Sequence, residues 1–341
     1  MKKMRNQNKL PIWGINIPGN SAGSKLEDME IDPTVEDKKQ ALIQFIKAIV
    51  MDTYSDEKQT IDTFTWLMEM QEGHAAQIYE DAPYLIPFPV EGSRKAVIVV
   101  PGGGFAYLST DADPEGRQGE GDLIAKALNE AGISAFVLWY RINPYRQPVP
   151  LLDLQRAVRF LRCHAKEYGM DKNQIGAIGF SAGGYLVAGM QNLVEGQNLF
   201  PAEYEPDGVD RESDRLNFSA MVYPALRYQV NSSALFVSFP AEQVRDEVCR
   251  KKLVQEYDCL AHFRPGHSPV FISYGTDDHM VSIEDILKYA ERLKQAGQNV
   301  TVVPVEGADH GFGAEPAAMK KYGYWLKKFV NWCKNVPQSS I

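Results

Sequence analysis

The sequence predicts an α/β protein built on a mostly parallel, doubly wound sheet with flanking helices, and three observations carry that prediction. From residue 96 onward, short apolar runs alternate with longer stretches of helical period, as parallel strands joined by crossover helices require. Several of those longer stretches stop at a glycine, namely Gly132, Gly169 and Gly297, and glycine is the residue a helix C-terminus favours. The 341 residues are 44% hydrophobic and 23% charged, ordinary for one large globular domain and unlike a disordered, collagenous or coiled-coil chain.

The expected strands, in order, are Ala96 to Val100, Ser134 to Trp139, Ile175 to Phe180, Ser219 to Tyr223, Pro269 to Tyr274 and Val300 to Val305. Between and after them the helical period places Gly121 to Glu130, Leu151 to Tyr168, Gly183 to Leu193, Ile283 to Ala296 and Ala317 to Lys334. Two segments fall outside that rhythm. Residues 1–75 are expected to form a helical N-terminal extension. Asp32 serves there as N-cap ahead of Pro33, with Leu42, Phe45, Ile46 and Ile49 at helical spacing and a second helix around Thr60 to Met70. Residues 227–268 interrupt the remaining domain, 76–341, with a partly helical insert containing Phe236, Phe239 and Tyr257, too long for a simple crossover loop. A cap over a site and a peripheral decoration or dimer contact are equally open for both segments.

The formal charge of -8 opposes nucleic acid or an anionic membrane as partner, because either needs a clustered basic face. A small-molecule substrate is expected instead. The N-terminus is basic, but Pro11, Asn16, Pro18 and Asn20 break any apolar core of a secretion signal, and no run approaches the ~20 apolar residues of a membrane span. A cytoplasmic protein follows as the expectation, with its oligomeric state left open. Cys163, Cys249, Cys259 and Cys333 show no metal-ligand spacing, so reduced thiols and no metal are expected.

The chemistry-bearing stretch is Gly179-Phe180-Ser181-Ala182-Gly183-Gly184, which follows the apolar run from Ile175 and opens a helix-forming segment. It reads as a nucleophile elbow: a sharp strand-to-helix turn strains its central residue and tolerates only small neighbours two positions away. The competing reading is an ordinary Gly-Ser turn, and the later residues decide between them. A serine hydroxyl needs a base and a group that orients the base. In strand-turn-helix hydrolases these follow in the order acid, then histidine. Gly275-Thr276-Asp277-Asp278-His279 follows one strand and Gly307-Ala308-Asp309-His310-Gly311-Phe312 another, each at a C-terminal strand end where open α/β sheets build their sites. Asp278 and His310 are therefore the expected acid and base. Asp277 and His279 are the competitors, and a loop aspartate is more often a turn residue than a reactive one. Pro101-Gly102-Gly103-Gly104-Phe105, after the first strand, supplies flexible backbone for an oxyanion hole made of Gly103, Gly104 and Ala182. A phosphate cradle is the lesser reading, for no Lys-Ser/Thr ending follows.

Together these motifs resemble the α/β-hydrolase superfamily, and within it the branch of acetyl esterases, hormone-sensitive-lipase-like esterases and bacterial xylan-esterase-like proteins. The likeness covers about residues 80 to 335 by the crossover pattern. It extends to Tyr140-Arg141, Pro148, Asp153 and Ala157, and to Leu108-Ser109 and Glu120-Gly121. Two features depart from it: Pro101 stands where many relatives begin the loop with histidine, and Thr110 to Gln118 resembles an insertion. The resemblance implies a serine carboxylesterase for short acyl esters, acetyl esters of sugars or small alcohols among them, working without metal or organic cofactor. Phe105, Tyr107, Tyr223 and Phe312 are candidates to line its substrate site, buried core being the commoner fate of such residues. Alternatives on the same scaffold are a serine peptidase, an amidase or arylformamidase, and a ligand-binding homologue without activity.

Overall fold

The computed structural model describes residues 9–20, 82–105, 108–110, 119–143, 145–228, 234–266, 268–313 and 316–337. The helices expected at Asp32 and at Thr60, together with Tyr107, lie outside them.

Six apolar runs form the parallel part of the sheet: β3 (Ala96–Val100), β4 (Ser134–Trp139), β5 (Ile175–Phe180), β6 (Phe218–Val222), β7 (Val270–Gly275) and β8 (Val300–Val305). All residues of β3, β5, β6 and β7 are buried, which is why they read as unbroken apolar runs rather than as alternation. Two further strands, β1 (Leu10–Pro11) and β2 (Tyr84–Phe88), were not expected from the sequence. They add to one edge in antiparallel sense, so the order is β1-β2-β4-β3-β5-β6-β7-β8.

Helices cover both faces. On one, α1 (Asp122–Glu130) and α9 (Tyr324–Asn335) pack Ile124, Leu128, Trp325 and Phe329 against Val97, Val99 and Phe271. On the other lie α2 (Val149–Cys163), α3 (Ala182–Gly189) and α7 (Ile283–Gln295), the last burying Ile286, Tyr289, Ala290 and Leu293. That i, i+3, i+4, i+7 stripe and the Ser282 hydroxyl accepting from the Asp285 N–H account for where α7 begins and which side it buries. The insert after β6 carries α4 (Ala234–Ser238), α5 (Ala241–Arg245) and α6 (Glu247–Glu256).

Three helix boundaries differ from expectation. The α2 helix stops at Cys163 instead of Tyr168, and α3 passes into a wider turn over Met190–Val194. The last helix is two, α8 (Pro316–Tyr322) and α9, broken at Gly323. A Cβ at Gly323 would lie 2.4 Å from the Met319 carbonyl oxygen, so this tight break admits only glycine. Among the described residues no helix is long and apolar enough to cross a membrane.

The strand order reverses at β3: the chain moves from it to β4 on one side, then returns to β5 on the other. At such a reversal the connections leave the strand ends in opposite directions and open a crevice at the carboxyl edge. The loop beginning at Pro101 and the turn at Ser181 stand on its two sides.

Candidate active site

Ser181 follows β5 and stands at the N-cap of α3 with φ 50° and ψ -113°, a backbone state a non-glycine residue adopts only when its surroundings impose it. Its N–H donates to Val222 O at 3.0 Å and its carbonyl accepts from the Tyr185 N–H at 2.9 Å, fixing the turn to β6 and to the helix. The flanking glycines are a steric requirement. A Cβ on Gly179 would sit 2.1 Å from the Gly183 carbonyl oxygen, and one on Gly183 would sit 2.1 Å from that of Val100. The chain can thus pass from strand to helix with the Ser181 side chain facing outward from the bend.

The loops after β7 and β8 bring the other two side chains to that hydroxyl. His310 Nε2 lies 2.9 Å from Ser181 Oγ, and His310 Nδ1 lies 2.9 Å from Asp278 Oδ2. Asp278 Oδ1 accepts the N–H groups of Met280 and Val281 at 2.9 and 3.0 Å. Burial pushes the Asp278 carboxyl upward, but the hydrogen bond and charge of His310 and these two N–H groups outweigh it and hold the acid below its ordinary range. An ionised Asp278 offers no proton, so Nδ1–H donates to it and Nε2 is left to accept from Ser181 Oγ–H. The arrangement can draw a proton from the hydroxyl as the oxygen attacks. The two loops are locked tightly, for a Cβ at Gly275 would fall 2.2 Å from the Ala308 carbonyl oxygen.

The glycine loop lies directly against the serine. A Cβ on Gly102 would be 3.1 Å from Ser181 Cβ, and the next three residues, Gly103, Gly104 and Phe105, all have positive φ, at 119°, 60° and 63°. Ala182 is the first residue of α3, so its N–H belongs to the unbonded first turn of a helix. Pro101 needs no histidine to hold the loop. Its carbonyl accepts from Tyr140 Oη at 2.8 Å, and the Gly102 N–H donates to Glu120 Oε2 at 2.7 Å.

Among the remaining sequence candidates, Phe105, Tyr223 and Phe312 are almost wholly buried and present little surface to a substrate. Phe105 packs edge-on against Tyr140 and Tyr185. Tyr223, strained at φ 38°, packs against the His310 ring at 4.8 Å and against Phe312 at 4.9 Å. The competitor His279 is exposed and pairs with Asp309 at 2.7 Å. His164 and His262 bond to the backbone carbonyls of Phe160 and Gln255. Glu120 has no role that local sequence reveals. The only signal was its place beside Gly121 in the resemblance, because a buried carboxylate cannot be told from a solvated one before the fold is known.

The strand order, the helices on both faces and the turn at Ser181 define an α/β-hydrolase fold. Within that class the chain belongs to the BD-FAE family, which it matches over residues 85–293. It is 26% identical over 300 residues to an acetylxylan esterase of Xylanibacter ruminicola, covering 86% of this chain and 55% of that protein. It is also 26% identical over 223 residues to Esterase LipC of Mycobacterium tuberculosis, covering 63% and 52%. The chain thus spans about half the length of these curated relatives. Among solved structures it resembles an acetyl ester-xyloside bifunctional hydrolase from Caldicellulosiruptor lactoaceticus, with TM-score 0.62, 24% identity and 96% of each chain covered. It also resembles a thermophilic esterase of Thermogutta terrifontis with butyrate bound, with TM-score 0.57, 24% identity and 76% and 92% covered. At that identity these two structures speak for the fold.

Proposed function

We propose that the protein is a serine carboxylesterase that hydrolyses short acyl esters, with acetyl esters of sugars or small alcohols as its substrate class. The observation that carries this reading is the continuous Ser181–His310–Asp278 hydrogen-bonded chain at a strained turn beside a positive-φ glycine loop. The acetylxylan esterase among its relatives supports the acetyl preference.

In this scheme His310 Nε2 takes the Ser181 proton as Oγ attacks the ester carbonyl, while Asp278 stabilises the imidazolium through Nδ1–H. The carbonyl oxygen gains a full charge, which the N–H groups of Gly103, Gly104 and Ala182 accommodate without reorganisation. His310 then protonates the departing alkoxide, leaving Ser181 acylated. Water repeats the sequence in reverse and releases the acid. No step draws on a metal or an organic cofactor.

The test is turnover of p-nitrophenyl acetate, butyrate and octanoate, of acetylated xylo-oligosaccharides, and of matched anilides and formamides. The expected order is acetate first and octanoate last, with anilides and formamides far slower than esters. Ser181→Ala is expected to lower turnover by about 10⁶-fold, as loss of a nucleophile does in other serine hydrolases, without unfolding the chain. A purified variant that keeps most of its ester rate rules the assignment out, and faster anilide or formamide turnover replaces the esterase reading.

A further inference from the structure

Glu120 sits in the loop that leads into α1, 6% exposed and distant in sequence from every residue of the triad. Its two carboxylate oxygens point in different directions. Oε2 accepts the Gly102 N–H at 2.7 Å, holding the first glycine of the loop that lies against Ser181. Oε1 accepts the Tyr223 O–H at 2.5 Å. The Tyr223 oxygen in turn accepts the Gly313 N–H at 3.1 Å, three residues beyond His310, and the Tyr223 ring packs on the His310 imidazole. The space around this chain of bonds is full. A Cβ on Gly102 would lie 2.9 Å from Glu120 Oε2, and one on Gly313 would lie 2.1 Å from the Tyr223 oxygen.

We infer that Glu120 is a positioning residue that clamps the glycine loop and the histidine loop to one another through Tyr223, setting the distance between the two halves of the active site. This rests on the Ser181–His310–Asp278 reading above. Neither loop is joined to the other by regular structure, since one follows β3 and the other β8, at separate places in the sheet. A carboxylate suits the junction because the groups that converge on it are donors: a backbone N–H can only donate, the Tyr223 oxygen is already accepting from Gly313, and the Ser109 side chain also bonds to the carboxyl. Burial works against the charged form and is the largest influence on this group, raising it above its usual range. The Tyr223 and Gly102 bonds, the charge of His310 and the Ser109 side-chain bond pull in the opposite direction. A buried carboxyl held by the glycine loop directly, and by the histidine loop through the Tyr223 hydroxyl, is placed for geometry and not for solvation.

The experiment compares wild type, Glu120→Gln, Tyr223→Phe and the double variant. The readouts are kcat and KM on p-nitrophenyl acetate, the second-order rate at which a fluorophosphonate labels Ser181, and the melting temperature. Glutamine keeps one acceptor and turns an N–H₂ toward a donor, while phenylalanine removes one oxygen and cuts only the histidine-side arm. Displacing reacting groups by ~1 Å costs on the order of 10²-fold. Each single variant is accordingly expected to lose about 10- to 100-fold in kcat and in labelling rate, with KM within about threefold. The double variant is expected to lose no more than the worse single one, because both substitutions break the same link. Folded single variants with wild-type kcat and labelling rate overturn the clamp, as do losses that multiply in the double variant. If Glu120→Gln fails to fold, Tyr223→Phe decides alone by the same criterion. An inactive, unlabelled wild type, or a labelled Ser181→Ala control, instead refutes the esterase reading itself, so the two failures are separable.

Discussion

Asp153 and Asp278 are both buried carboxylates near the carboxyl edge of the sheet, and each is bonded to a nitrogen base that follows a strand. Asp153, on α2, takes bonds from Trp13 Nε1, the Arg141 backbone N–H and the Arg141 guanidinium. The other guanidinium nitrogen of Arg141 donates to Pro18 O and Asn20 Oδ1, both at 2.7 Å. Both side chains of that pair are 0% exposed, and every nitrogen of the guanidinium has an acceptor. Asp278 is just as buried, but its partner His310 is 8% exposed and directs its second nitrogen to the hydroxyl of Ser181. The difference lies in unspent capacity. A saturated pair ties residues 9–20 onto the sheet and can do nothing else, whereas a pair with one nitrogen facing a reactive group can move a proton.

Substitutions at the two aspartates should therefore fail in different ways. The largest effect is expected from Asp278→Asn, which presents an amide to Nδ1 and selects the wrong imidazole tautomer. Loss of about 10⁴-fold in kcat is the magnitude such a change produces in a serine triad, with little movement of the melting temperature. Equal losses of activity and stability would erase the contrast.

Next comes Asp153→Ala, which strands Arg141 in a dry interior. A destabilisation of about 3–5 kcal/mol follows from leaving one partner of a buried ion pair unpaired, read as a fall in the denaturant midpoint. The folded fraction should retain its ester turnover within a few-fold. If stability is unchanged, Arg141 is not held as closely as its bonds indicate.

The smallest effect is in the acid. Because the Asp278 carboxyl is held below its ordinary range in the folded state, the proton binds the unfolded chain more readily. Its contribution to stability is full above the unfolded value of about 3.9 and is lost as pH falls through the lower, folded one. The stability difference between wild type and Asp278→Asn should stay level from about pH 7 to pH 5 and shrink below about pH 4. A difference that grows in acid would mean that folding raises the Asp278 carboxyl instead of lowering it.

Much of this fold is legible in the sequence. Ala96–Val100, Ser134–Trp139, Ile175–Phe180 and Val300–Val305 have the bounds their apolar runs indicate. The runs are legible because a strand covered on both faces needs no polar alternation. Tyr84–Phe88 is not legible for the opposite reason. It is a near-edge strand with Pro87 in it and two half-exposed residues, and its identity depends on pairing with β4. Gly323 breaks a helix whose apolar period continues across it, so only the approach of the Met319 carbonyl reveals the break. The segment Leu10–Asn20 shows no periodicity, and its docking rests on Trp13, Pro18 and Asn20 meeting a buried charge pair more than a hundred residues away.

The amino-acid sequence by itself determined which residues could carry the chemistry and that each would stand at a strand end. Gly179 against Gly183 is a local steric requirement of the turn, and Asp278 and His310 follow apolar runs whose ends are local as well. The tertiary structure alone decided that His310 meets Ser181 and Asp278 meets His310, that Phe105, Tyr223 and Phe312 lie in the interior, and that Glu120 meets both Gly102 and Tyr223. Those outcomes depend on distances between segments far apart in the chain, and burial, bond partners and charge state are set by neighbours that local sequence does not encode.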